Sequence, residues 1–261
     1  VQSKFEGKMA MLTSQRKKII LEKLAQDGQV LAKQLSELFG LSEDTVRRDL
    51  RELDAEGLLQ RVHGGALPVS SAIASFAERN HLESGAKRAI AKAAAALIAP
   101  GQVVIIDGGT TSAELVRQLP ANLNATVVTH SPSVAVGLAD HPTVEVILIG
   151  GRLYKHSIVS VGAAAVEAMS HIRADIYFMG VTGVHPTAGL STGDLEEAYI
   201  KRALAARAAE TVVLASAAKL NAASQYAIGD ITLAHTVIVE RATDDALIAP
   251  LQQAGISVLK A

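Results

Sequence analysis

From about residue 87 onward, short continuous apolar runs alternate with stretches of helical periodicity, and this alternation restricts the fold more than any other feature of the chain. The runs are Val103–Ile106, Thr126–Val128, Val144–Ile149, Ile176–Met179, Thr211–Leu214, Val237–Val239 and Ile256–Leu259. A strand that is apolar at every position has no side to turn toward water, so both of its faces must be covered. A parallel sheet between two helical layers meets that condition. Helices are expected at about 87–98, 111–118, 132–139, 162–171, 194–209 and 244–253. The sequence therefore predicts an α/β, doubly wound domain over 87–261. Aromatic residues make up only 3% of the chain and Trp is absent, so this core must be built from Ala, Val, Ile and Leu.

Residues 11–68 have a different character. Ile19, Ile20, Leu21 and Leu24 form the apolar stripe of a helix over 14–27, with Ser14 as its cap and Gly28 as its stop. A second helix over 31–39 is expected to carry Leu31, Leu35 and Leu38 on one face and to stop at Gly40. A third opens at the N-cap Ser42, where Glu43 and Asp44 suit the positive end of the helix dipole. Its Val46, Leu50 and Leu53 recur at helical spacing, and it should end near Gly57. Leu58–His63 reads as a strand, Gly64-Gly65 as a turn and Ala66-Leu67 as the return. Three short helices and a small hairpin make a winged helix-turn-helix. The Ser- and Ala-rich stretch 69–86 is expected to be a linker, with a short helical piece around Phe76–Arg79.

The net charge is −1, so bulk electrostatics does not announce nucleic acid, but the placement of charge does. Basic residues gather at Arg16-Lys17-Lys18, at Arg47-Arg48 with Arg51, and at Arg61 and His63. With Val46, Leu50 and Leu53 inward, Asp44, Arg48 and Arg51 point outward from the third helix, flanked by Thr45 and Arg47. A recognition helix needs this division between an apolar grip and a polar face for the major groove. The candidate DNA contacts are thus Arg16, Ser42, Asp44, Thr45, Arg47, Arg48, Arg51, Arg61 and His63. The competing reading is an interaction module in which Arg47 and Arg48 pair with Glu43, Asp44 or Glu52 on their own helix.

In the larger domain, Asp107-Gly108-Gly109-Thr110-Thr111-Ser112 follows a strand and opens a helix. Glycines allow close backbone approach, and hydroxyls with free amides at a helix N-terminus suit a phosphate. Asp107 would repel phosphate but accept from sugar hydroxyls. Thr129-His130-Ser131 and Gly150-Gly151-Arg152 follow later strands, and Lys219 follows another, all at the sheet edge where such folds hold ligands. The ligand candidates are Asp107, Gly109, Thr110, Thr111, Ser112, Thr129, His130, Ser131, Gly151, Glu197 and Lys219. Glu197 and Lys201 are also spaced as an ordinary surface ion pair. The bland alternatives are a tight strand-to-helix turn, a satisfied loop histidine and a solvated lysine.

Other classes are disfavoured. The absence of Cys removes disulfides, thiolate zinc sites and a Cys nucleophile. His130, His141, His156, His171 and His185 have no ligand partners close in sequence, so no metal and no cofactor is expected. No apolar run is long enough to span a bilayer, and Val1–Ala10 lacks the apolar core of a signal peptide, which together suit the cytoplasm. A sugar-phosphate isomerase fused to a DNA-binding domain is the rival reading. Asp107, Asp194, Glu196, Glu197 and Lys219 would have to supply its acid–base groups. A C-terminal domain that only oligomerises is a third reading.

Residues 15–67, through Leu-Ser-Glu-Asp-Thr-Val-Arg-Arg-Asp-Leu (41–50) and Gly-Leu-Leu-Gln-Arg-Val-His-Gly-Gly-Ala (57–66), resemble the DeoR-type winged helix-turn-helix. The resemblance continues through Asp107–Ser112, Thr129–Ser131, Gly189–Thr192, Leu195–Ala198 with Lys201-Arg202, and Leu214–Lys219. It implies a repressor of a sugar or polyol catabolic operon, and the mechanism expected is a homodimer or homotetramer that sets its recognition helices in successive major grooves of repeated operator half-sites. It implies a sensor domain similar in fold to ribose-phosphate isomerase, with a phosphorylated sugar or polyol as effector. The phosphate would lie near Gly109–Ser112, with Lys219 a ligand contact. The chain departs from the family where His130 replaces a usual Asn, and where Ser216-Ala217-Ala218-Lys219 replaces a usual Asp-Ser-Ser-Lys. His130 would add a donor there, or a charge at mildly acidic pH.

Overall fold

The computed structural model describes residues 11–68, 76 and 84–261, and the chain divides into two compact units with the boundary at residue 69. Most of the expected linker, 69–75 and 77–83, lies outside the described residues, and with it Ala77–Arg79 of the expected helical piece.

In the N-terminal unit, α1 (Thr13–Asp27), α2 (Ala32–Phe39) and α3 (Glu43–Ala55) pack around Ile20, Leu24, Leu35, Val46, Leu50 and Leu53. The start of α1 differs from expectation. Its N-cap is Leu12, with no side-chain cap, and Gln15 reaches back to the Leu12 amide instead of Ser14 capping the helix. Gly28 and Gly40 end α1 and α2 in the left-handed conformation that a Cβ disfavours. Ser42 caps α3 by accepting from the Thr45 amide. Leu31, Leu35 and Leu38 line one groove, in keeping with their shared face, but only Leu35 is buried, Leu31 being 39% and Leu38 54% exposed. Leu31 belongs to a strand that the sequence did not announce. β1 (Val30–Leu31) takes Leu31 out of the helix and pairs with the wing. The wing, β2 (Gln60–Val62) and β3 (Gly65–Leu67), is therefore part of a three-stranded sheet in the order β1-β3-β2. A Cβ on Gly65 would fall 2.0 Å from the Val30 carbonyl oxygen, so glycine is required for that pairing.

The C-terminal unit is built on a seven-stranded sheet whose seven strands run parallel. In chain order its strands are β4 (Val103–Ile106), β5 (Thr126–Thr129), β6 (Glu145–Leu148), β9 (Ala174–Gly180), β12 (Ala208–Leu214), β14 (Thr236–Val239) and β15 (Ser257–Lys260). Their spatial order is β15-β14-β12-β9-β4-β5-β6. Successive residues face opposite layers. Val104, Ile106, Phe178, Val212 and Leu214 pack with α4 (Ser84–Ala95), α5 (Thr110–Arg117) and α6 (Pro132–Gly137). Ile105, Tyr177, Met179 and Val213 pack with α7 (Ala163–Met169), α8 (Leu195–Ala205) and α9 (Asp245–Gln253). Each fully buried side chain of this size contributes roughly 1.5–3 kcal/mol, so the double coverage explains why the strands were apolar at every position.

Two small additions were not foreseen. β7 (Arg152–Tyr154) and β8 (Val159–Val161) form a separate antiparallel hairpin. β10 (Gly183–His185), β11 (Gly189–Thr192) and β13 (Tyr226–Gly229) form a three-stranded antiparallel sheet. Chain order and space part company between β4 and β9. The first strand of the sheet has β5 on one side and the fourth on the other, and this switch point opens a crevice at the strand ends.

Candidate functional site

The crevice between the ends of β4 and β9 is where the Asp107–Ser112 loop lies. Gly109 is the N-cap of α5 with φ 109°, and the first turn of the helix has no side-chain cap. The amides and hydroxyls of Thr110, Thr111 and Ser112 stand at the positive end of α5. Together with Gly108, Gly109, Glu197, Lys201 and Lys219 they line a small open cavity. Gly108 is required by close approach: a Cβ there would meet the Val159 side chain at 2.1 Å. The β7–β8 hairpin thus closes over the loop, with the Ser131 hydroxyl donating to the Ile158 carbonyl at 3.0 Å. Ile158 holds φ 54°, a conformation that costs an L residue roughly 1–2 kcal/mol.

Six of the expected ligand residues line this cavity: Gly109, Thr110, Thr111, Ser112, Glu197 and Lys219. The other five stand behind it or apart from it. Asp107 is fully buried, and both of its oxygens are engaged, so it is not presented to sugar hydroxyls as expected. Oδ1 accepts from the Gly108 amide at 2.8 Å and Oδ2 from the Gly180 amide at 2.8 Å. Lys201 donates to Oδ2 as well. Thr129 is buried with its hydroxyl donating to the Ile106 carbonyl, and Ser131 is turned to the hairpin. Gly151 sits against Val161 and Ser160 at the start of β7, off the cavity wall.

Lys201 is the residue that sequence reasoning misassigned. Glu197 and Lys201 were spaced as a surface pair, yet they are 5% and 4% exposed and separately engaged. Glu197 accepts from the Thr192 hydroxyl at 3.1 Å, and Lys201 crosses to Asp107. Periodicity gave the only available signal, since both fall on the face of α8 that carries Ala198, Leu204 and Ala205 into the core.

His130 is 1% exposed, with Nε2 3.3 Å from Asp107 Oδ1. Burial depresses its pKa to about 4, Asp107 opposing and Lys201 assisting. The expected charge at mildly acidic pH is therefore absent. A neutral imidazole facing a carboxylate holds its proton on Nε2, which leaves Nδ1 an acceptor rather than a donor. Nδ1 and the Tyr177 hydroxyl are buried with no hydrogen-bond partner among the described residues. Burial, with the charges of Asp107 and Glu197, raises the Tyr177 pKa well above its ordinary value. Burial would also raise the Asp107 carboxyl, but the Lys201 charge, His130 and the hydrogen bonds outweigh it and hold it below the usual range. Among the described residues no group of His, Asp and Glu is placed to hold a metal ion.

On the N-terminal unit, the outer face of α3 presents Ser42, Asp44, Thr45, Arg47, Arg48 and Arg51, with Arg61 and His63 exposed on the wing side; Thr45 is the one half-buried member. Arg47 donates to Glu43 at 2.7 Å and to Asp44 at 3.4 Å, the intrahelical pairing weighed as an alternative. Arg48 and Arg51 make no ion pair among the described residues. Arg16 departs most from expectation. It is 6% exposed, and its guanidinium grips Asp49 through Nε at 2.8 Å and Nη2 at 3.1 Å. Nη1 also donates to the Met11 carbonyl and Nη2 to the Thr13 hydroxyl, so all three guanidinium nitrogens are engaged within the unit and the buried group is not presented to a phosphate. Lys17 is likewise held by Glu52 and Glu56.

A winged helix-turn-helix joined to a parallel α/β unit is the architecture of a DNA-binding transcriptional regulator. The chain belongs to the DeoR family of transcriptional regulators: residues 82–241 match the DeoR C-terminal sensor domain and 16–72 the DeoR-like helix-turn-helix domain. A putative aga operon transcriptional repressor of Escherichia coli O157:H7 is 32% identical, covering 95% of this chain and 93% of that one. The glycerol-3-phosphate regulon repressor of Escherichia coli K12 is 30% identical, covering 88% and 92%. Among solved structures, a ribose 5-phosphate isomerase A from Methanocaldococcus jannaschii aligns with 51% of this chain and 52% of its own, at 21% identity and a TM-score of 0.38. No helix among the described residues is long and apolar enough to cross a membrane.

Proposed function

We propose that this chain is a cytoplasmic, non-enzymatic homodimeric or homotetrameric repressor of a sugar or polyol catabolic operon. A phosphorylated sugar or polyol bound in the C-terminal unit releases it from its operator. One observation carries the effector reading: the uncapped N-terminus of α5 opens into the same cavity as Lys201 and Lys219, opposite the buried Glu197. Amide donors and a helix dipole suit a phosphate, and a carboxylate suits the hydroxyls of the same molecule. The relative named for a glycerol-3-phosphate regulon is consistent with such a ligand. The operator reading rests on Arg48 and Arg51, exposed on α3 beside the Ser42–Thr45 end. Recognition helices present such residues to base edges and phosphates. Because a ligand that binds both states equally shifts nothing, the effector must prefer the form unable to bind operator.

The test is fluorescence anisotropy on DNA from upstream of the chain's own gene and its neighbours, at fixed salt, with a panel of sugar and polyol phosphates. Specific binding relieved by one phosphorylated compound supports the proposal. Binding that none relieves removes the effector reading, and turnover of any panel member would favour a sugar-phosphate isomerase instead.

A further inference from the structure

Among the described strands β6 has a neighbour on one side only, and it is unlike the other edge of the same sheet. The β15 edge also exposes an apolar side chain, Leu259 at 38%, but it carries Ser257 and Lys260 besides, and Lys260 is tied to the Thr243 carbonyl and to Asp245. A lysine on an outer strand is a common protection against strand addition. β6 reads Glu145-Val146-Ile147-Leu148, with its sole charge at the first position. In a parallel sheet these residues should be covered, yet Ile147 is 40% and Leu148 50% exposed. The exposure lies on both faces. Val146 packs in the layer of α6, so Leu148 shares that side with Val136, which is 75% exposed on α6. Ile147 points to the opposite layer, on the side of the β7–β8 hairpin, where Leu153 is 47% exposed. What β6 lacks is a further strand together with both of its flanking layers.

We infer that a second copy of this chain adds to β6, the two edge strands running antiparallel about a two-fold axis so that one sheet continues through the pair. The charges favour this occupant. Glu145 is exposed at the start of the strand, where it accepts only from the Thr126 hydroxyl. Arg152 and Lys155 are exposed just beyond its end and make no ion pair among the described residues. Antiparallel self-pairing brings the acidic start of each strand to the basic end of the other. Such a two-fold contact is self-complementary and closed, so it does not propagate into fibres. The inference rests on the homo-oligomer reading above and names its surface.

Sedimentation velocity of the full chain tests both. The wild type is expected to be a dimer or tetramer, and the double variant Ile147→Lys, Leu148→Lys to drop by one assembly step with its far-UV circular dichroism unchanged. Because the chain has no cysteine, single cysteines report without background. Ile147→Cys and Leu148→Cys should include a position that forms disulfide-linked dimers on mild oxidation, while Leu259→Cys on the opposite edge and Leu97→Cys should not. A monomeric wild type overturns the oligomer reading itself. An oligomeric wild type with undiminished assembly in the lysine variant, or with cross-linking at Leu259→Cys alone, overturns only the assignment to β6. Retention of another protein from the source organism on β6, with the chain itself monomeric, also overturns it.

Discussion

Each unit of the molecule buries an ion pair, and the two pairs are built to different ends. Arg16–Asp49 joins α1 to α3 with all three guanidinium nitrogens and both carboxylate oxygens bonded: two bonds between the pair, one to the Met11 carbonyl and one to the Thr13 hydroxyl. Lys201–Asp107 joins α8 to the end of β4 at the wall of a cavity, beside a buried His130 Nδ1 with no hydrogen-bond partner among the described residues. Both pairs are nearly inaccessible, so burial of charge does not separate structure from function. The state of the surrounding polar groups does. A closed network fixes packing. A network with a buried polar group left unsatisfied is not closed in that sense, and it stands behind the cavity proposed for the effector.

The sharpest way to break this comparison is to remove one partner from the closed pair. Asp49→Ala leaves Arg16 charged and buried, and should destabilise the N-terminal unit by about 3–5 kcal/mol. Adding Arg16→Met should recover most of that loss, because an apolar pair of similar volume needs no counter-charge. Urea denaturation followed by circular dichroism reads both variants, and a loss below about 1 kcal/mol for Asp49→Ala would show that the pair is not closed as described.

The open network should respond to pH. His130 titrates at about 4 when folded against 6.5 as its ordinary value. Between those values the unfolded chain binds a proton that the folded chain excludes. Stability of the C-terminal unit should thus fall as pH is lowered from 6.5 toward 4, by at most about 3 kcal/mol from this residue. His130→Gln should flatten that part of the pH profile. Equal slopes in wild type and variant would mean that His130 is not held neutral.

Smaller effects fall on ligand and DNA. Lys219→Ala should weaken a phosphorylated effector about 10–100-fold, or roughly 1.4–2.8 kcal/mol, while DNA binding persists. Isothermal titration calorimetry reads the first and anisotropy the second. Arg48→Ala should weaken operator binding by about 1–3 kcal/mol and leave the melting temperature and effector affinity unchanged. Wild-type operator affinity with a wild-type salt slope would move the recognition face away from Arg48.

What could be read from the chain alone was whatever depends on neighbours in sequence. The cap at Ser42 and the stops at Gly28 and Gly40 act within one helical turn. The strand runs were legible because a sheet buried on both faces asks for an apolar side chain at every position, as in Val103–Ile106 and Thr211–Leu214. The Gly108–Ser112 loop was legible because its turn and its helix start are local. The sequence was silent on β1 and on the β7–β8 hairpin. Those strands are two or three residues long, and they exist only because a distant segment offers backbone partners. It misled on Leu31, which belongs to the strand that precedes the helix and not to the helix itself. It also misled on Arg16 and Lys201, since a charge on a helix looks solvated until its partner is known. Lys201 meets Asp107 across 94 residues because the strand order brings the ends of β4 and β9 side by side under α8. Local chemistry selected which elements form. Which buried charges meet, and which side chains line the cavity, was decided by the topology that packs those elements together.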